Sequence, residues 1–137
     1  MSSPDTQHET LHLLVAEDDP EMRALLSKVL TREGFSVTTA QHGQDAVDYL
    51  RNGVSCDLLI TDIRMPGKDG IEVLREARQL RPGLKVVMIT AFTDMEIYLE
   101  VIREGAFEYL TKPFKIPDLL DVVDRAMASS GGGAASS

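Results

Sequence analysis

Leu11-His12-Leu13-Leu14-Val15-Ala16-Glu17-Asp18-Asp19-Pro20 sets a strand-length apolar run directly against three acids and a proline. The run Leu11–Ala16 is too short for a helix and nearly continuous in apolar character, as expected of a strand covered on both faces. Asp19 can cap a helix that has Pro20 at its first position. Met22, Leu25, Leu26, Val29 and Leu30 then recur at the spacing of an amphipathic helix, and Gly34 ends it. One strand, an acidic turn and one helix thus follow in order.

The same unit repeats along the chain. Further strand-like runs are Phe35–Thr39, Asp57–Thr61, Lys85–Thr90 and Ala106–Leu110. Between them, Ala46–Leu50 reads as a helix, Asp69-Gly70-Ile71-Glu72 opens another with a capping-box-like pattern, and Thr93-Asp94-Met95-Glu96 is a full capping box ahead of a helix ended by Gly105. Pro117–Met127 supplies the last helix. Alternation of five strands and five helices predicts an α/β, doubly wound, five-stranded parallel sheet. Right-handed crossovers put every strand's C-terminal end on one edge, where ligands bind in such folds.

Four of the five strands deliver polar groups to that edge. Glu17, Asp18 and Asp19 follow the first, Asp62 the third, Thr90 closes the fourth, and Thr111-Lys112-Pro113 follows the fifth. Acids after a first strand can simply cap the next helix, and that is the main role read for Asp19. Carboxylates converging on one site repel one another and raise at least one pKa unless a cation is present. Oxygen donors that leave room for water and phosphate suit Mg²⁺. A metal beside Asp62 would orient its carboxylate as a nucleophile. Lys112 offers a mobile point charge, and Thr90 a hydroxyl donor, for phosphoryl oxygens.

Composition narrows the field. The 137 residues, 43% hydrophobic and 26% charged, suit one domain with a real core. A net charge of −8 and no Lys/Arg cluster argue against direct nucleic-acid binding. No apolar stretch approaches the ~18 residues of a membrane span, and the N-terminal residues have no signal-peptide pattern, so a cytoplasmic location is expected. Cys56 is the single cysteine and reads as a buried structural thiol. His8, His12 and His42 are scattered and read as surface residues. Residues 1–9 read as a disordered tail, 10–128 as the folded domain, and 129–137, SSGGGAASS, as a Gly/Ser-rich tail or linker.

Taken together, Leu14-Val15-Ala16-Glu17-Asp18-Asp19-Pro20, Asp62-Ile63-Arg64-Met65-Pro66-Gly67-Lys68-Asp69-Gly70, Ile89-Thr90-Ala91 and Tyr109-Leu110-Thr111-Lys112-Pro113-Phe114 resemble the motifs of response-regulator receiver domains. The resemblance runs from about Leu11 to Met127. It implies a flavodoxin-like sheet in the order 2-1-3-4-5, which is the family's own order. It implies Asp62 as phosphoacceptor. Glu17, Asp18, Asp62 and the Arg64 backbone carbonyl are the implied holders of Mg²⁺, with Mn²⁺ as a substitute. Thr90 and Lys112 are the implied phosphoryl contacts, Thr90 and Tyr109 the switch pair, and Lys112-Pro113 a cis bond. Glu17 departs mildly from a position where Asp is commoner. The implied partner is a sensor histidine kinase or phosphotransfer protein, and the chain is expected to be a switch rather than an enzyme, beyond self-phosphorylation from small donors and autodephosphorylation.

Two other functions fit less well. Haloacid-dehalogenase-type phosphatases need a second Asp two residues after the nucleophile. That position is Arg64, which cannot act as a general acid at neutral pH. A flavodoxin-like cofactor binder needs a Ser/Thr/Gly-rich phosphate loop after the first strand, and this loop is acidic. Two finer expectations complete the reading. The helix 93–104 with strand 106–110 is expected to carry a signalling surface for a homodimer or output partner, because its apolar residues cover a wider arc than burial needs. Arg64 and Phe92, neither able to take a proton from water, are expected to make the phosphorylated form long-lived.

Overall fold

The computed structural model of the chain describes residues 10–91 and 94–136, with the side chains of the last helix described to residue 128. The strands are β1 (His12–Ala16), β2 (Ser36–Ala40), β3 (Leu58–Asp62), β4 (Lys85–Thr90) and β5 (Glu108–Thr111). The helices are α1 (Pro20–Arg32), α2 (Gly43–Arg51), α3 (Gly70–Leu80), α4 (Met95–Arg103) and α5 (Ile116–Ser136). All four strand pairings are parallel, and the order is β2-β1-β3-β4-β5.

Successive side chains on a strand face opposite sides, and the core divides accordingly. Leu14, Ala16, Leu59, Val86 and Met88 join Val47, Leu50, Val73, Leu74 and Val101 on the α2–α3–α4 side. Leu13, Val15, Leu58, Ile60, Val87 and Ile89 join Leu26, Leu30, Leu119 and Val123 on the α1–α5 side. This two-sided burial explains why β1, β3 and β4 lack polar alternation.

Helix starts follow local chemistry. The Asp19 carboxylate accepts from Glu21 N at 3.1 Å, with Pro20 in the first turn. Asp69 and Glu72 form a reciprocal capping box, at 2.9 and 3.0 Å. For α4 the cap is Asp94, which accepts from Glu96 N at 2.8 Å; the expected cap Thr93 lies outside the described residues. A charged Asp caps as well as Thr and also complements the helix dipole.

Strand ends differ from the sequence reading by one or two residues, because pairing sets them. β3 closes on Asp62 itself, paired with Ile89, while Asp57 lies before it and its carboxylate accepts from His12 N at 2.7 Å. β5 starts at Glu108, opposite Val87, two residues later than Ala106. The last helix extends past Met127 through the stretch expected as a tail; among its described side chains Ala126 is the last fully buried one. His42 is exposed at the start of α2, His12 is half-buried in β1, and His8 lies outside the described residues. Cys56 is half-buried rather than fully buried, and its thiol donates to Leu58 O at 3.4 Å.

Candidate functional site

Glu17, Asp62 and Thr90 are buried at the C-terminal edge of the sheet, although polar groups normally face water there. Each is placed by a strand. Glu17 directly follows β1, and its N–H continues the ladder to Ala40 O at 3.0 Å. Asp62 and Thr90 close β3 and β4. Lys112 directly follows β5, and its N–H reaches Thr90 O at 2.8 Å. The Lys112–Pro113 bond is cis, as the resemblance implies.

The Lys112 ammonium bridges the two buried carboxylates, donating to Glu17 Oε1 at 2.8 Å and to Asp62 Oδ2 at 2.7 Å. Burial works against the Lys112 charge, but these two hydrogen bonds and the charges of the same two carboxylates together hold its pKa above the usual value. Burial raises the Glu17 pKa, with the Asp62 charge adding to it, against the lowering pull of Lys112 and of Asp19 N–H. Glu17 is thus the raised carboxylate, and burial rather than the expected repulsion between converging acids is the main cause. Its other oxygen accepts from Asp19 N at 3.1 Å, and Asp62 Oδ1 accepts from Arg64 N at 3.1 Å.

Asp18 completes an acidic group. Ligand oxygens of Glu17, Asp18 and Asp62 all lie within 4.8 Å of one another. Three hard oxygen donors, one lysine too few to neutralise them, fit a small divalent cation such as Mg²⁺. Asp62, Arg64, Thr90, Ala91 and Lys112 line a cavity of about 290 Å³ at the same place. A Cβ at Gly70 would collide with the Asp62 carbonyl, so the start of α3 is pressed against this strand end. That close approach accounts for Gly70.

A model of the response regulator receiver domain matches residues 13–124. The chain belongs to the receiver domain family. Its relatives include the DNA-binding transcriptional regulator NtrC of Klebsiella pneumoniae, 39% identical over 114 residues, which covers 83% of this chain and 24% of that protein. The receiver thus spans about a quarter of the length of such relatives. Among solved structures it is similar to a CheY-like receiver of Methanospirillum hungatei, with a TM-score of 0.88 and 26% identity over 91% of this chain and 99% of that one. It is also similar to TrrA of Thermotoga maritima in complex with Mg²⁺ and BeF, with a TM-score of 0.78 and 33% identity over 85% of this chain and 99% of that one.

The receiver's remaining expected residues divide into two groups. Tyr109 lies edge-on to Tyr98 of α4, with ring centroids 5.3 Å apart. Burial and the nearby Asp94 charge raise its pKa. Phe92 lies outside the described residues, so the expectation built on it with Arg64 stays with the sequence. Two contributors escaped the sequence reading. Tyr98 counts in the sequence only toward the apolar arc of the helix 93–104. Arg23, on α1, donates to the main-chain oxygens of Glu17 at 2.8 Å and Asp18 at 3.4 Å. The available signal was a cation in the first turns of a helix, where the macrodipole disfavours it.

Proposed function

We propose that this receiver accepts a phosphoryl group on Asp62 from a phosphohistidine of a sensor kinase or phosphotransfer protein and relays the change to an output partner. The observation that carries the reading is the buried Asp62 carboxylate, open to the cavity and held between Lys112 and the acids that follow β1. An Asp62 oxygen attacks phosphorus, the P–N bond breaks, and its electron pair passes to the imidazole. Glu17, Asp18, Asp62 and the Arg64 carbonyl would hold Mg²⁺ (or Mn²⁺), which when bound supplies Lewis-acid charge for the phosphoryl oxygens. The Mg²⁺ and BeF complex of TrrA supports this assignment for a related receiver. Lys112 pairs with a phosphoryl oxygen, and Thr90, on the cavity wall, donates to another.

The same reading makes the chain a switch rather than an enzyme, with Thr90 and Tyr109 as the moving pair. Full conversion between two states from 1:99 to 99:1 needs about 5.5 kcal/mol of differential stabilisation. New charge-assisted hydrogen bonds to Lys112 and Thr90 are the source of that difference. The output face is α4 with β5, where Met95 is 65% and Leu99 45% exposed. A kinase upstream, and a homodimer or attached output domain downstream, are the partners this implies, with no direct contact to nucleic acid. No helix among the described residues is long and apolar enough to cross a membrane.

The test is phosphate incorporation from acetyl phosphate with Mg²⁺, followed by mass spectrometry. The parent gains one phosphoryl group on Asp62, and Asp62→Asn gains none. Undiminished incorporation in Asp62→Asn removes the reading.

A further inference from the structure

Asp18 differs from the two acids beside it. Glu17 and Asp62 are each held by Lys112 and by a main-chain N–H. Among the described residues, none donates a hydrogen bond to the Asp18 carboxylate, and Asp18 is partly exposed. Its aim toward Asp62 is therefore set by its own backbone. That backbone lies just past the last sheet hydrogen bond of this segment, from Glu17 N–H to Ala40 O.

Arg23 takes over where the sheet stops. Side chains on a helix lean toward its N-terminus, so a residue one turn in from the Asp19 cap reaches back over the preceding loop. The Arg23 N–H bonds to Asp19 O at 2.9 Å, which fixes that turn. Its Nη1 then donates to Glu17 O at 2.8 Å and to Asp18 O at 3.4 Å. Among the described residues Arg23 makes no ion pair with a carboxylate; the bonds of its guanidinium go to two adjacent carbonyls. A helix start is also where a cation is least favoured, so packing convenience does not account for it.

We infer that Arg23 is a positioning residue for divalent-cation binding. It clamps the Glu17–Asp18 main chain so that the Asp18 carboxylate faces Glu17 and Asp62 within the 4.8 Å cluster. This rests on the metal reading of that cluster. Groups that orient metal ligands typically contribute about 10–100-fold in affinity.

The experiment is calorimetric titration of the full chain with Mg²⁺, for parent, Arg23→Gln, Arg23→Lys and Asp18→Ala, with thermal unfolding of each in EDTA. The expected result is about tenfold weaker Mg²⁺ binding in Arg23→Gln, with a metal-free Tm within a few degrees of the parent. Arg23→Lys, which keeps a cationic donor, recovers part of the loss. At saturating Mg²⁺ the rate of self-phosphorylation from acetyl phosphate in Arg23→Gln returns toward the parent's, since the loss lies in occupancy. Parent-like affinity in Arg23→Gln, with Asp18→Ala weakened, overturns the role of Arg23 and leaves the metal site standing. Parent-like affinity in both variants overturns the metal site, and this inference with it. If Arg23→Gln unfolds without metal, Arg23→Lys decides: parent-like affinity there overturns the clamp, and severalfold weaker binding at unchanged Tm supports it.

Discussion

The strand-end pocket and the outer face of α4 treat exposure in opposite ways. In the pocket, charged groups are taken out of water and matched to one another: Glu17 and Asp62 are buried, with Lys112 between them. On α4, apolar groups are left in water: Met95, Tyr98, Leu99 and Ile102 are exposed, while Val101 alone is fully buried and Ile97 packs partly into the core. Each arrangement is costly by itself. A buried charge needs its partner, and an exposed apolar patch of this kind commonly marks an interaction surface. The pocket is thus a constellation whose members depend on each other. The α4 face presents side chains that the core does not enclose. Tyr98 against Tyr109 is the one aromatic contact among the described residues joining that face to β5.

The largest expected effect is at Lys112. Lys112→Met removes the cation shared by two buried carboxylates, and the metal-free protein should lose about 3 kcal/mol in urea unfolding. Added Mg²⁺ should return part of this through binding to the native state. The pH dependence has a definite sign. Because the folded-state pKa of Lys112 is raised above its ordinary 10.5, its contribution is fully present below that pH and is lost as pH rises through the folded value. The Lys112→Met variant should lack that alkaline step. A loss below 1 kcal/mol would mean the pocket charges are not mutually dependent, and the contrast with α4 would fail.

A smaller effect, of opposite sign, is expected at Asp18. Its carboxylate adds repulsion to Glu17 and Asp62 without a hydrogen bond from the described residues in return. Asp18→Ala should therefore stabilise the metal-free protein by about 1 kcal/mol, the scale of such a repulsion near solvent, while weakening Mg²⁺ binding. Urea midpoints in EDTA and in Mg²⁺ should move in opposite directions relative to the parent. Destabilisation in EDTA would show that Asp18 is structural.

The smallest expected effect is on the α4 face. Leu99→Ser should change the urea midpoint by less than about 0.5 kcal/mol, as surface substitutions do. A loss above 1 kcal/mol would show that Leu99 is held within the domain, and the face would no longer be available to a partner.

How much of this was legible in the chain follows from range. Caps at Asp19 and Asp69 were readable because they act within three residues. The α4 cap moved to Asp94 because adjacent Thr and Asp are both competent. Strand ends slipped because a strand stops where its neighbour stops, as when Asp62 pairs with Ile89. The exposed α4 arc was readable from periodicity alone. Arg23 was only faintly so: a cation near a helix start is unusual, but nothing local says that two carbonyls of the preceding loop will want a donor.

The order of apolar runs, caps and acids by itself determined an alternating α/β chain with Glu17, Asp18, Asp62, Thr90 and Lys112 at one sheet edge. That follows because parallel strands with right-handed crossovers all end on the same side. Only the tertiary structure decided how those groups meet. Lys112 joins Glu17 and Asp62 across 95 and 50 residues of chain, Tyr109 turns to Tyr98, and Arg23 holds the loop that carries Asp18. Contacts of that kind depend on distances set by packing between elements, which residue order does not encode locally.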